Sequence, residues 1–388
     1  MKQLSRRQFI RNAAATVGVG VGASRLGQLA QASAEPMLEN DQSSESDAPT
    51  LLCPPVMRGH LRPYNHQFAM QEGIEGWRRE MDDERRIGSN LLWLSHVRPA
   101  LDETEADTLQ DVFDVCEERN MGIIIETGHT PNWYGHRDLD REINEVREVC
   151  TMLAERYGEH PAFYAWYLHH EIYVAYDDFG AYIDELFPAM VEECNKALPD
   201  KPVTLSPFFI LDRDQVFGDF RYAEPEEYQE YWTQLIRRSG LDIIMLQDSG
   251  EHFSYVTMEQ RRPFFEAMQA ACKESGATFW GNVETAEMVI ESIDAYKERY
   301  GRVHHSTVTD LPWRNVPIDR LEQKLRLAAE YAENIVSWGY YQFGRPSLDP
   351  EEHTWAGRPV VGPIGKEWYE QYREYYDNVM ADSKWAEA

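Results

Sequence analysis

Ile123-Ile124-Ile125 and Ile243-Ile244-Met245-Leu246 are apolar at every position. A strand wet on one face alternates apolar and polar residues. An unbroken apolar run is what a strand needs when helices cover one face and the inside of a closed sheet covers the other. Working outward from these two runs, similar segments recur at Val56 to Leu61, Asn90 to His96, Gly122 to Glu126, Phe163 to His169, Val203 to Phe208, Asp242 to Gln247, Thr278 to Val283 and Ile335 to Tyr341. Segments of helical period separate them, near Gly73–Arg86, Glu103–Glu118, Asp140–Tyr157, Asp178–Leu198, Pro225–Arg238, Thr257–Ser275 and Pro317–Glu333, with an eighth near Pro363–Met380. Asp178, Thr257 and Pro317 punctuate helix starts, and Gly88, Gly158, Gly240 and Gly276 sit just past helix ends. Eight strand and helix pairs in strict alternation predict an α/β fold, a single (β/α)8 TIM barrel over residues 53–382. An open doubly wound sheet is the alternative. It would place a Gly-rich phosphate loop after the first strand, where the chain reads Arg58-Gly59-His60-Leu61-Arg62-Pro63.

The chain has 388 residues with 38 basic against 67 acidic side chains, a formal net charge of −29. That balance argues against nucleic-acid binding, which rests on Lys and Arg neutralising phosphates. It favours a neutral or weakly charged partner. Residues 1–34 contain Ser5-Arg6-Arg7-Gln8-Phe9-Ile10, an Ala/Gly/Val stretch from Ala13 to Gly22, and a small-residue Ala32-Ser33-Ala34 site. They resemble a twin-arginine export signal, which implies a periplasmic or secreted protein with no stable membrane span once the signal is cleaved. Residues 35–52, rich in Ser, Asp, Glu and Pro at their start, read as an acidic disordered linker. Five cysteines without a C-x-x-C pair fit neither a zinc ribbon nor a disulfide framework, and four of them fall inside helical patterns as small core residues. No cofactor is expected.

Barrel chemistry sits on the loops at the carboxyl ends of the strands. Strand one ends near His60, strand two at His96, and strand three at Glu126 with His129 and Trp133 beyond it. Strand four ends in His169-His170-Glu171, strand six in Gln247-Asp248, strand seven in Asn282-Val283-Glu284, and strand eight in Tyr340-Tyr341-Gln342. Strands four and seven face each other across a barrel mouth. Glu171 and Glu284 therefore have the placement needed to flank a glycosidic bond, one carboxyl protonating the leaving oxygen while the other attacks or positions water. Asp248 has two readings, as a group that orients His252 or binds a sugar hydroxyl, and as a cap for Ser249-Gly250.

Trp166-Tyr167-Leu168-x-x-Glu171-Ile172, Leu246-Gln247-Asp248-Ser249-Gly250 and Trp280-x-Asn282-Val283-Glu284 together resemble a bacterial family of glycosidase-like TIM barrels known mainly by its fold. That family is similar to the clan A retaining glycoside hydrolases, and the likeness runs from about Val56 to Met380. It implies Glu171 as acid/base and Glu284 as nucleophile. His170 stands where clan A enzymes usually place Asn to bind the sugar 2-hydroxyl.

The expected enzyme is an exported glycoside hydrolase acting on an oligo- or polysaccharide. Asn282, His170, Gln247 and Asp248 would hold hydroxyls, and His60, His96 and His129 would line the wall. Trp133, Trp280, Trp313 and Tyr340 would offer flat aromatic faces to sugar rings. Glu171 would have to keep its proton at working pH, which burial among Tyr167, His170 and Tyr173 favours. A rival reading takes His60, His96, His129, His169, His170 and Glu171 as ligands of a metal-dependent hydrolase or isomerase. The sequence has no H-x-H pair on strand one and no H-E-x-x-H helix, and adjacent His169 and His170 point to opposite faces of a strand. No metal is therefore assigned. A carbohydrate-binding barrel without turnover is the third reading.

Overall fold

A computed structural model of the chain describes residues 50–103, 106–218, 220–304, 307–348 and 353–385. The expected signal at 1–34 and the linker up to residue 49 lie outside the described residues. Eight parallel strands close into a barrel: Gly59–Pro63, Leu91–Ser95, Gly122–Glu126, Phe163–Leu168, Val203–Leu205, Ile243–Gln247, Thr278–Glu284 and Asn334–Trp338. Each strand pairs with the next, and strand eight closes on strand one through His60 and Ser337. Helices His66–Arg86, Thr108–Glu118, Leu139–Tyr157, Asp177–Ala197, Pro225–Ser239, Met258–Ser275, Ile318–Tyr331 and Gly365–Met380 surround it. The predicted (β/α)8 barrel is the observed fold.

Boundaries differ where local chemistry intervenes. Strand five stops at Leu205 instead of reaching Phe208, because Pro207 has no N–H to give a ladder. A short helix that starts at His66, capped by the Asn65 side chain accepting the Phe68 N–H at 3.0 Å, precedes the expected one, and the two join across a kink at Gly73, where the backbone leaves the helix at φ 55°. Strand eight ends at Trp338 because Gly339 turns left-handed at φ 110° and Tyr340–Gly344 forms a π-helical turn. A Cβ on Gly339 would lie 2.6 Å from Thr285 Oγ1 and 2.9 Å from the Ala286 nitrogen. Of the four expected helix-ending glycines, Gly158 stays right-handed at φ −56°. The helix from Met258 opens with a full capping box, in which Thr257 and Gln260 satisfy each other's backbone N–H groups.

Side-chain parity decides what reaches the mouth. In strand seven Phe279 packs outward on Phe265 of the sixth helix, and a Cβ on Gly281 would meet Ala328 at 3.0 Å. Trp280, Asn282 and Glu284 therefore point inward as successive layers from floor to mouth. Trp280 stacks on Tyr164 across the interior, with ring centroids 6.1 Å apart, near the amino ends of both strands. Strand four carries a register shift: Ile123 pairs with Phe163 but Ile124 pairs with Ala165, so Tyr164 is bulged. Beyond the bulge Tyr167 turns inward against Trp93, with centroids 4.8 Å apart.

Past strand seven, Ala286–Met288 and Trp313–Asn315 form an antiparallel ribbon, with Ala286 opposite Asn315, Glu287 opposite Arg314 and Met288 opposite Trp313. The Val316 N–H donates to the Thr285 carbonyl at 2.8 Å, and the Thr285 N–H donates to the Trp338 carbonyl at 2.8 Å. All five cysteines are buried and free. Among the described residues, no helix is long and apolar enough to cross a membrane.

Candidate active site

Two groups of polar side chains stand at the carboxyl ends of the strands. The first is a pocket lined by Glu171, Gln247, Ser249, Glu251, His252 and Glu284, with Phe208, Phe209, Ile210 and Phe253 as its apolar surface. Glu171, three residues past strand four, and Glu284, the last residue of strand seven, thus share one cavity. Both are largely withdrawn from solvent, at 9% and 1% exposure. Gln247 donates to Glu171 Oε1 at 3.4 Å and to the Ser206 carbonyl at 2.7 Å, so the end of strand six steadies the strand-four carboxyl. Glu284 Oε2 accepts the Glu251 N–H at 2.7 Å. One layer below, Asn282 donates to Ser206 Oγ at 2.9 Å.

Asp248 lies behind this pocket. Its Oδ1 accepts the N–H of Gly250 at 3.1 Å and of Glu284 at 3.3 Å. Its Oδ2 lies 3.0 Å from Lys324 Nζ and 3.9 Å from Arg261 Nη1, all three side chains being buried. The Lys324 ammonium also donates to the Glu284 backbone carbonyl, so it ties Asp248 to the end of strand seven. Burial pulls the Lys324 pKa down, while Asp248 opposes that shift. The capping reading of Asp248 describes its contacts, which fix the backbone around Glu284.

The second group gathers His96, Glu126, His129 and His169 from the ends of strands two, three and four. His169 Nδ1 is 2.7 Å from Glu126 Oε2, and the Val97 N–H donates to Glu126 Oε1 at 2.8 Å. The His169 ring lies 4.7 Å from that of His129 and 5.2 Å from that of His96, both edge to face. Burial pushes the Glu126 carboxyl up, but its hydrogen bond with His169 and the histidine charges around it outweigh that and bring it down to about 2. Burial, then the neighbouring His169, lowers His129 to about 3, and burial also lowers His96. The group therefore holds an ionised carboxylate beside two imidazoles, His96 and His129, whose protonation burial disfavours.

Several expected wall residues lie elsewhere. His170 faces outward, wholly buried, with Nε2 2.7 Å from Glu142 of the third helix and Trp133 across its ring at 4.7 Å. The bulge at Tyr164 sets this parity, sending His169 to the mouth and His170 to the helices. Trp133 packs beside Phe179 and Tyr182 of the fourth helix. His60 stacks on Tyr340 at 4.3 Å, and its ring nitrogens are buried without a hydrogen bond. Burial lowers the His60 pKa to about 3. Arg62, two residues on and so on the same face as His60, pairs with Glu80 of the first helix at 2.9 Å. His60 and Tyr340 thus sit between strand one and the helices. Trp280 is on the barrel floor, and Trp313 is fully buried in the ribbon, stacked on Phe343 at 5.9 Å. None of these aromatic faces lines the pocket. Glu251 and His252, which do line it, follow a left-handed turn at Ser249 (φ 53°) that the sequence marks only by Ser249-Gly250.

A sequence profile described as Domain of unknown function (DUF4434) matches residues 85–351, more than half of the chain. The chain belongs to this family. No curated protein matches this DUF4434 chain. Among solved structures it is similar to a "putative alpha-L-fucosidase" from Bacteroides thetaiotaomicron VPI-5482, with a TM-score of 0.62 and 16% identity over 88% of this chain and 99% of that one. It is also similar to an endo-1,4-beta-D-mannanase from Thermotoga petrophila RKU-1, with a TM-score of 0.52 and 15% identity over 83% and 99% of the two chains. At such identities the likeness establishes a shared barrel fold.

Proposed function

We propose that this DUF4434 protein is a glycoside hydrolase in which Glu171 is the general acid/base and Glu284 the nucleophile. The observation that carries this reading is the single pocket into which strands four and seven bring both carboxyl groups. The similar fucosidase-like and mannanase structures support the same class. In the first step Glu171 gives its proton to the leaving glycosidic oxygen as that bond breaks, while a Glu284 oxygen bonds to the anomeric carbon. Glu171 then takes a proton from water, whose oxygen displaces Glu284 and releases the sugar. Two supports act in this cycle: the Glu251 N–H holds one Glu284 oxygen, and Gln247 keeps Glu171 on the strand-six side. The substrate is a glycan, and the reading includes export through the twin-arginine route.

The test is a panel of aryl glycosides and polysaccharides with the wild-type chain and the variants Glu171→Gln and Glu284→Gln. Glu171→Gln should lose roughly 10²–10⁴-fold in turnover, the range for general acid–base catalysis, and Glu284→Gln, which removes the nucleophile, at least as much, both with little change in melting temperature. Added azide should rescue an Ala variant at either position, giving a glycosyl azide of retained configuration for Glu171→Ala and of inverted configuration for Glu284→Ala. Wild-type turnover in both Gln variants would remove the assignment.

A further inference from the structure

The cluster at the ends of strands two to four is not used by the two-carboxylate chemistry, and its composition is that of a metal site. One donor atom from each of His96, Glu126 and His169 lies within 4.8 Å of the other two. Zinc bonds to imidazole nitrogen and carboxylate oxygen are about 2.0–2.2 Å long, which places two ligands of one ion roughly 3–3.5 Å apart. Side-chain rotation of about 1 Å brings this group to that spacing. The His169–Glu126 edge is already shorter, at 2.7 Å.

The surroundings orient the donors as second-sphere contacts do around bound metals. The Val97 N–H holds one oxygen of Glu126 and leaves the other for the cluster. Ser95 Oγ lies 3.1 Å from His96 Nδ1, which leaves Nε2 as the free donor. His129 supplies a separate indication. Its Nδ1 is buried with no hydrogen-bond partner, while its ring lies beside both His169 and His96. A buried polar atom without a partner calls for an explanation, and a missing ion is one such explanation.

We infer that His96, Glu126 and His169 bind a divalent transition-metal ion of the zinc type, with His129 as the available fourth protein donor. Two or three imidazoles with one carboxylate suit zinc and its d-block neighbours. Calcium and magnesium prefer all-oxygen shells. The site lies on the mouth side of strand four, two residues before Glu171 in the chain, and the fourth position left by His96, Glu126 and His169 falls either to His129 or to a water or substrate oxygen. It stands on its own donor set, independently of the hydrolytic reading.

The test uses the full chain without a histidine tag, stripped with chelator and dialysed against zinc chloride, then counted by elemental mass spectrometry. One zinc per chain is expected, with a rise in melting temperature that chelator reverses. Calcium chloride should give neither. His96→Ala, His169→Ala and Glu126→Gln should each lower zinc affinity by at least 10-fold. Glu171→Gln and Glu284→Gln should keep full occupancy, which separates this site from the hydrolytic pair. Should the Ala variants fail to fold, cobalt(II) titration of the wild-type chain and of His129→Gln reads the same ligands through the visible bands of imidazole-bound cobalt. Absence of stoichiometric zinc or cobalt in the wild-type chain overturns the inference, as does full zinc occupancy in the His96, His169 and Glu126 variants.

Discussion

Replacing Asp248 by Asn removes the carboxylate that stands 3.0 Å from Lys324 and 3.9 Å from Arg261, both fully buried. The shape is conserved, and the Asn oxygen can still accept the N–H groups of Gly250 and Glu284. What changes is charge, because two buried cations lose their nearest counter-charge. Removing one partner of a buried pair costs about 3–5 kcal/mol, most of it from the charge left uncompensated. At roughly 2 °C per kcal/mol for a large domain, the melting temperature should fall by about 6–10 °C. Lys324→Met should cost less, since Asp248 would keep Arg261 and two backbone donors. The double variant Asp248→Asn/Lys324→Met should be more stable than Asp248→Asn alone, because the second change removes a stranded charge. Thermal unfolding by circular dichroism at neutral pH, run as a double-mutant cycle, measures all three. If Asp248→Asn melts within 2 °C of wild type, or if the double variant melts below it, the electrostatic account of this contact is wrong.

Glu84 is buried, and burial raises its carboxyl to about 8 against the lowering effect of Arg62. An acid whose folded pKa exceeds its unfolded one costs stability as pH rises through that interval, so Glu84→Gln should melt close to wild type at pH 5 and above it at pH 9; an equal offset at both pH values would refute this. Glu142 behaves oppositely: burial raises it, but the hydrogen bonds with His170 and Thr130 prevail and hold it below the ordinary carboxylate range. Its contribution is therefore present at neutral pH and lost as pH falls through the folded pKa, and Glu142→Gln should lower the melting temperature at pH 7 by more than at pH 3. Gly339→Ala forces a side chain into φ 110° and against the Ala286 nitrogen, which should cost about 1–3 kcal/mol for the backbone strain, read as a lower urea midpoint with unchanged slope.

The barrel was legible because its strands are covered on both faces, so runs such as Ile123-Ile124-Ile125 announce themselves without partners in view. Ends were less legible, since the stop at Leu205 depends on one missing N–H at Pro207, and the end of strand eight on the conformation of Gly339. The pairing of Glu171 with Glu284 followed from strand number alone, as did Gln247. Which of His169 and His170 enters the mouth depends on the bulge at Tyr164, a register event between strands that composition does not encode. Aromatic residues were the least informative. Hydrophobicity is the same for a ring on a sugar, on the barrel floor, under a helix or in a buried ribbon, and Trp133, Trp280, Trp313 and Tyr340 occupy the last three kinds of place. Glu251 escaped notice, and His252 entered only as a partner for Asp248, because both follow a tight turn rather than end a strand.

The ribbon formed by Ala286–Met288 and Trp313–Asn315 acts as a clamp at the base of the excursion after strand seven. With both feet of that excursion stitched together and tied to Thr285, length changes between Met288 and Trp313 transmit little displacement to Glu284. Evolution or an engineer can therefore exchange the tip as a cassette, altering what the mouth admits while the reacting carboxyl keeps its place.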